Sequence, residues 1–218
     1  MLLYVFVAIL TAAIGFMWYM GIFTRVGEKD VEDDTIPRML YVYEFYSGSM
    51  KDMGKAFGTH YEEVGSLLTE GDLKNEGGFG IYLEKPENGY CDCVIGTLVE
   101  DEKIAEEIIE NGTFRHVWVD SFDALSLSFK YRNVLTYMIA PAKAYPVLGE
   151  MADCEVNGFP LEFYYCFRGF IKFVMPLEKI PAFEQMAEEL ALYVKDIKDA
   201  IDNEDEIVDE EIEDVKEE

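Results

Sequence analysis

Leu2 to Phe23 (LLYVFVAILTAAIGFMWYMGIF) is an apolar run without one charged side chain. At 1.5 Å rise per residue, about 22 residues of helix reach roughly 33 Å, enough to cross a hydrocarbon core of about 30 Å. The run predicts a transmembrane anchor over residues 1–24, with a water-facing remainder tethered to it. A cleaved signal peptide is the alternative. Against it, no basic residue precedes the run, the run exceeds the usual apolar stretch of such peptides, and its small-residue site (Thr11-Ala12-Ala13) falls in mid-run. Trp18 and Tyr19 suit an interfacial aromatic belt.

The flanks set the orientation. No Lys or Arg precedes the run, whereas Arg25, Lys29 and Arg38 follow it. Positive charge stays on the cytosolic side, so the carboxyl-terminal part is expected in the cytosol. Asn111-Gly112-Thr113 would be a glycosylation sequon only on the other side.

The chain has 218 residues and a formal charge of −26. Less the anchor and an acidic tail, that is enough for one domain with a sizeable core. The charge excludes direct nucleic-acid binding, since phosphates are repelled, and disfavours docking onto an anionic leaflet. Aromatic residues make up 14 %, which argues against global disorder. The four cysteines (Cys91, Cys93, Cys154, Cys166) are expected as reduced thiols in a cytosolic domain. Cys91-Asp92-Cys93 is one residue too tight for C-x-x-C, and alternation puts both side chains on one strand face, as small buried hydrophobes. His60 and His116 are the only histidines, so no metal or other cofactor is expected.

Residues 25–38 form a polar linker, 39–201 a domain with a carboxyl-terminal helix, and 202–218 an acidic, disordered tail. Met39–Tyr46 reads as a strand. Met53, Phe57, Tyr61, Val64 and Leu68 recur at spacings of three and four within an amphipathic helix weakened by Gly54 and Gly58. Gly80–Glu84 and Asp92–Val99 flank a turn with Pro86, Asn88 and Gly89, a hairpin. Glu102–Asn111 is a short helix closed by Gly112. Then come strands at Phe114–Val119 and Leu125–Tyr131, and a helix over Asn133–Ala152 interrupted or restarted near Pro141 and Pro146. A second hairpin follows at Leu161–Phe167 and Phe170–Met175. Pro181 opens the last helix. The order predicts an α+β domain built of two pseudo-repeated strand–helix–hairpin units, with a cleft between them.

Several segments resemble the testis-expressed protein 264 family, single-pass endoplasmic-reticulum proteins with a GyrI-like domain. These are Tyr43-Glu44-Phe45 with Gly48 and Gly54-x-x-Phe57, then Ile81-Tyr82 and Pro86 leading to Cys91-Asp92-Cys93-Val94-Ile95-Gly96. Leu161-Glu162-Phe163-Tyr164, Phe173-Val174-Met175-Pro176-Leu177 and the position of the anchor complete the resemblance. It covers roughly residues 1–178. It implies an adaptor in the endoplasmic-reticulum membrane, with the nuclear envelope as a second location. Such an adaptor links membrane to ubiquitin-like autophagosomal proteins during ER-phagy, or to the valosin-containing AAA ATPase. The family's tail adds an aromatic-x-x-aliphatic peptide as a strand to its partner. Here the tail has no aromatic residue. Phe122-Asp123-Ala124-Leu125, after Asp120, matches the bare pattern, although a turn entering a core strand fits it too.

GyrI-like domains are also implied to bind small apolar cations, and some resemble hydrolases. The position that carries over is Glu162. A carboxylate in an apolar strand needs a partner or a raised pKa. Tyr41, Tyr43, Tyr82 or Tyr164 would supply an aromatic wall for a cation. Two readings stand: Glu162 and Tyr164 in a pocket, or Glu162 on a solvent face. No Ser-His-Asp set or phosphate loop is visible, so an adaptor is expected rather than an enzyme, with a membrane-tethered ligand-binding module or a hydrolase using Glu162 as the alternative. His116 is expected to be structural, and Arg132 and Arg168 to pair with carboxylates.

Overall fold

The computed structural model describes residues 2–19, 23–69, 73–74, 76–82, 89–152 and 159–216, with side chains between Leu3 and Ala200 in those ranges. Five helices and eight strands follow in order: α1 (Leu2–Tyr19), β1 (Val31–Ile36), β2 (Met39–Ser49), α2 (Met50–Gly65), β3 (Gly77–Tyr82), β4 (Tyr90–Val99), α3 (Glu102–Asn111), β5 (Arg115–Val119), β6 (Phe122–Lys130), α4 (Thr136–Met151), β7 (Leu161–Tyr165), β8 (Phe170–Pro176) and α5 (Pro181–Lys216).

All eight strands form one antiparallel sheet in the order β1-β6-β8-β7-β3-β4-β2-β5. Two units of strand, helix and hairpin are visible in that order. The first is β2-α2-β3-β4 and the second β6-α4-β7-β8. They meet at the β7–β3 pair, so the second unit repeats the first about that seam. The expected α+β architecture of two repeated units is what the strands form.

Both sheet faces are covered. On one, Phe183, Met186 and Leu190 of α5 pack on Tyr41, Phe79, Phe163 and Val174. Tyr41 lies edge-on to Phe79, Phe163 and Phe183, at centroid distances of 4.9, 6.4 and 5.3 Å. On the other face, α3 and the end of α2 cover Leu40, Val42 and Val99. Ala140, Ala144 and Leu148 of α4 cover Leu127, Phe129 and Ile171. Side chains alternate between the faces with period 2. Met39, Tyr41, Tyr43 and Phe45 point to α5, Leu40 and Val42 to α2 and α3. Gly96 permits the β2–β4 approach: a Cβ there would meet the Val42 carbonyl oxygen and lie 2.6 Å from the Phe79 ring.

Several expectations are corrected. The described helix in the apolar run is Leu2–Tyr19, and residues 20–22 lie outside the described residues. Among the described residues no helix is long and apolar enough to cross a membrane, so a complete span over residues 2–23 is not seen. The linker contains a strand, β1, whose Val31–Ile36 pairs with β6 despite three acidic residues, because an edge strand turns half its side chains to water. Pro141 and Pro146 sit inside one unbroken α4. The tail expected to be disordered continues α5 to Lys216, since no Gly or Pro after Pro181 ends the helix. Cys154 and the centre of the β3–β4 turn lie outside the described residues.

Gly96→Ala is expected to cost at least about 1–3 kcal/mol, because the nearest obstacle is backbone and cannot rotate away; a urea midpoint within error of wild type would refute the close approach. His60 is buried on α2, its Nε2 hydrogen-bonded to the Val42 carbonyl at 3.2 Å. Burial lowers its pKa to about 4. The unfolded chain therefore binds the extra proton first, and stability falls as pH drops from about 6.5 towards 4, by up to ~3 kcal/mol. An NMR titration of the His60 imidazole should show a midpoint near the lowered value, not near that of free histidine.

Candidate functional site

The cavity lies over the β7–β3 seam, between α2 and α4, with a volume of about 1370 Å³. Each unit contributes its helix as a wall. Met50, Met53, Gly54, Phe57, Gly58 and Tyr61 form a stripe of i, i+3, i+4 and i+7 positions along α2. Val134 and Leu135, just before α4, begin the opposite wall, which continues through Met138, Pro141, Ala142 and Tyr145 of the helix. Lys51 and Lys55 stand at the rim.

The floor follows from strand parity. On β7, Leu161, Phe163 and Tyr165 face α5, so Glu162 and Tyr164 face the cavity. Their cross-strand neighbours on β3 are Gly80 and Gly78. A Cβ at Gly80 would lie 3.0 Å from the Tyr82 ring and one at Gly78 would meet Tyr164 at 3.7 Å, so the two glycines leave that space to the two phenols. Gly54 and Gly58 leave space at the α2 wall, where a Cβ would meet nothing within 4 Å. Each helical glycine costs about 0.5–1 kcal/mol relative to alanine, so the opening is kept at the expense of helix stability.

Glu162 is 5 % exposed. Its Oε1 accepts from the Tyr145 hydroxyl and its Oε2 from the Tyr164 hydroxyl, both at 2.6 Å. The Tyr82 and Tyr164 hydroxyls are 2.8 Å apart. Since the Tyr164 proton is committed to Glu162, Tyr82 is the donor in that pair. The chain of donors therefore ends on the carboxylate from two sides, and the ionised form fits this arrangement. Burial raises the Glu162 pKa, and the two phenol hydrogen bonds oppose the rise. No cation among the described residues contributes to that balance. Phe57 and Tyr137 stand edge-on to Tyr164 at 5.3 and 5.6 Å. The result is a buried anion walled by aromatic rings.

Of the residues expected to line a pocket, Glu162, Tyr164 and Tyr82 converge. Tyr43 and Tyr41 do not: both face α5, Tyr43 with its hydroxyl 3.5 Å from Glu189, and Tyr41 wholly buried. Odd-numbered positions of β2 point away from the cavity, which strand parity alone would have shown. The solvent-face reading of Glu162 fails because α2 and α4 cover that face. Tyr145 and Tyr137 were missed, although they share one helix face at i and i+8. The Gly77-Gly78-Phe79-Gly80 string was the other available signal.

The expected partner peptide is corrected as well. Phe122 and Leu125 are buried, and β6 is paired along both edges, with β1 and with β8. Its backbone has no free edge to offer another sheet. Cys91 and Cys93 are buried and free on one strand face, both against Met53. His116 is exposed. Arg168 pairs with Glu100 at 3.8 Å, and Arg132 donates to the backbone carbonyls of Trp18 and Tyr19. Among the described residues no group of His, Cys, Asp and Glu is arranged to hold a metal ion.

No protein-family model and no curated protein sequence matches the chain. Among solved structures it is similar to the EcmrR C-terminal domain, at 14 % identity and a TM-score of 0.45, covering 69 % of this chain and 98 % of that one. It is also similar to SAV2435 bound to tetraphenylphosphonium (14 %, 0.42, covering 67 % and 92 %) and to a hydrolase from Listeria innocua (9 %, 0.40, covering 71 % and 94 %). Similarities this distant carry no functional inference, and the chemistry of the pocket rests on its own residues.

Filling the gap in the α2 wall separates packing from binding. Gly58→Ala should raise stability by about 0.5–1 kcal/mol, whereas Gly58→Phe should occupy the cavity and shrink it for any ligand. A thermal melt of both variants, with a crystal structure of the second, checks this; an introduced ring turned to solvent would show that the stripe does not face the cavity.

Proposed function

We propose that this chain is a membrane-tethered, GyrI-like ligand-binding module whose pocket takes an apolar cation against Glu162. The observation that carries the reading is a buried carboxylate held by two phenols inside a large aromatic cavity, with no cation among the described groups that act on it. Such a charge is costly to bury unpaired, and an entering cation offsets that cost. Aromatic faces add cation–π attraction, worth about 2 kcal/mol or more when desolvated. Two prolines help in the same sense. Pro141 and Pro146 remove the usual i+4 donors of the Tyr137 and Ala142 carbonyls, both residues of the cavity wall.

The tether is supported by α1, whose apolar side chains are exposed along its length. In water that exposure is unfavourable at about 25 cal/mol per Å². The apolar sequence runs on to Phe23, and Arg25, Lys29 and Arg38 after it support a cytosolic domain. The endoplasmic-reticulum membrane is the location the family resemblance suggests. An adaptor role towards autophagosomal proteins or an AAA ATPase would need a contact surface other than Phe122–Leu125.

Binding of tetraphenylphosphonium, a rigid apolar cation, by isothermal titration tests the pocket. Glu162→Gln keeps the shape and removes the charge, so affinity should fall at least tenfold while thermal stability is kept or raised. Equal affinity in both proteins would remove Glu162 from the site. Affinity should also fall as pH is lowered through the raised pKa of the carboxyl, because the protonated acid no longer attracts the cation.

A further inference from the structure

We infer that the ligand of the Glu162 pocket is a single-chain amphiphile with an ammonium head group, delivered from the bilayer that holds α1. This rests on the pocket reading above. The first observation is where the apolar helix joins the domain. The Arg132 guanidinium donates to the Trp18 and Tyr19 carbonyls at the end of α1, and the Lys143 Nζ donates to the Thr24 carbonyl at 2.5 Å. Val26 then packs against the cluster under α4. Trp18, Tyr19, Thr24 and Val26 are thus held at the residues just before α4 and at α4 itself, the helix that forms one cavity wall.

The second observation is the rim at that end. Val134, Met138 and Phe167 line the cavity and are 68, 74 and 71 % exposed. Val134 and Met138 follow closely on Arg132, which touches Trp18 and Tyr19, and Phe167 lies against Tyr61 of α2. Large apolar side chains so exposed fit a surface resting in the interfacial region of a membrane. The bilayer that takes α1 covers this rim, and the cavity then opens towards lipid rather than bulk water. The third observation is the gradient along the cavity from the α4 side: apolar at Val134 and Met138, aromatic in the middle, anionic at Glu162, with Lys51 and Lys55 confined to the α2 side of the rim. A hydrocarbon chain at the mouth and a cationic head at the floor match it group for group. An anionic head would meet the buried carboxylate and the charge of −26.

The test uses the full chain in phosphatidylcholine nanodiscs, with a photoreactive hexadecyltrimethylammonium probe in the bilayer and tetraphenylphosphonium as a water-soluble competitor. Labelling should map to residues 134–138 and 57, fall at least tenfold in Glu162→Gln, and be displaced by the competitor. Met138→Asp should lower labelling from the bilayer at least fivefold more than it lowers affinity for tetraphenylphosphonium, since it wets the rim and leaves the floor. Chain length is the second readout. Tetramethylammonium should compete at least a hundredfold more weakly than dodecyltrimethylammonium, at about 0.8 kcal/mol per buried CH₂. Glu162-dependent binding of tetraphenylphosphonium with no labelling from the bilayer, or with no dependence on chain length, overturns the delivery inference and leaves the pocket reading standing. Failure of the wild-type chain to bind tetraphenylphosphonium overturns both.

Discussion

A sheet buried on both faces leaves each strand residue only one question, which side it points to, and the whole site follows from the answer on β7. Leu161, Phe163 and Tyr165 belong to the core under α5, so Glu162 and Tyr164 have nowhere else to go but the α2–α4 side. A one-residue slip would put the carboxylate among Tyr41, Phe79 and Phe183, where the unpartnered Tyr41 hydroxyl would replace the two phenols that now hold it. The aromatic core against α5 therefore fixes the register of the acid. That core is dense and apolar, and its packing is what makes the slip prohibitive.

The cavity exists because the two units do not close on each other. Each unit lays its helix over its own hairpin, and the seam between the hairpins is left uncovered except by what α2 and α4 project across it. At the seam the chain places glycine rather than bulk: Gly78 on β3, Gly54 and Gly58 on α2. Gly96 is different in kind. It is demanded by backbone contact with Val42 and serves the fold, whereas Gly54, Gly58 and Gly78 serve the opening. Local stability is given up along one stripe, and the pattern follows the pocket rather than the secondary structure.

The repeat of strand, helix and hairpin was legible in the residues because aromatic and β-branched runs alternate with helical periodicity, and both hairpins appear where those runs predict them. Glu162 was legible for a related reason: one carboxylate in an apolar strand is an anomaly that burial must resolve. What escaped was placement by long-range pairing. β1 is acidic enough to pass for linker, and only its pairing with β6 makes it a strand. Tyr43 and Tyr82 look alike as sequence, yet parity sends them to opposite faces. The Phe122–Leu125 pattern has the right letters for a partner peptide, but the sheet uses its backbone on both edges. Local composition carries no record of which edge is already taken.

The electrostatics of the chain favour one class of ligand at two length scales. Far from the surface, a strongly acidic domain concentrates cations and repels anions, and salt screens the effect beyond roughly 8–10 Å. Inside the cavity, screening is weak and the Glu162 charge acts at close range, with phenols that hold it in place but leave it uncompensated. The two fields have the same sign, so under the proposed reading a cation would be drawn first by the surface and then by the site. Burial selects further. A small hydrated ion loses more solvation than one carboxylate and a few rings return, while a large apolar cation sheds little water and fills the rings' contact area. The same reasoning separates the tether from the charge. An acidic domain gains nothing from an anionic leaflet, so the proposed tether would have to act through apolar contact of α1 and the exposed rim of α4 rather than through charge.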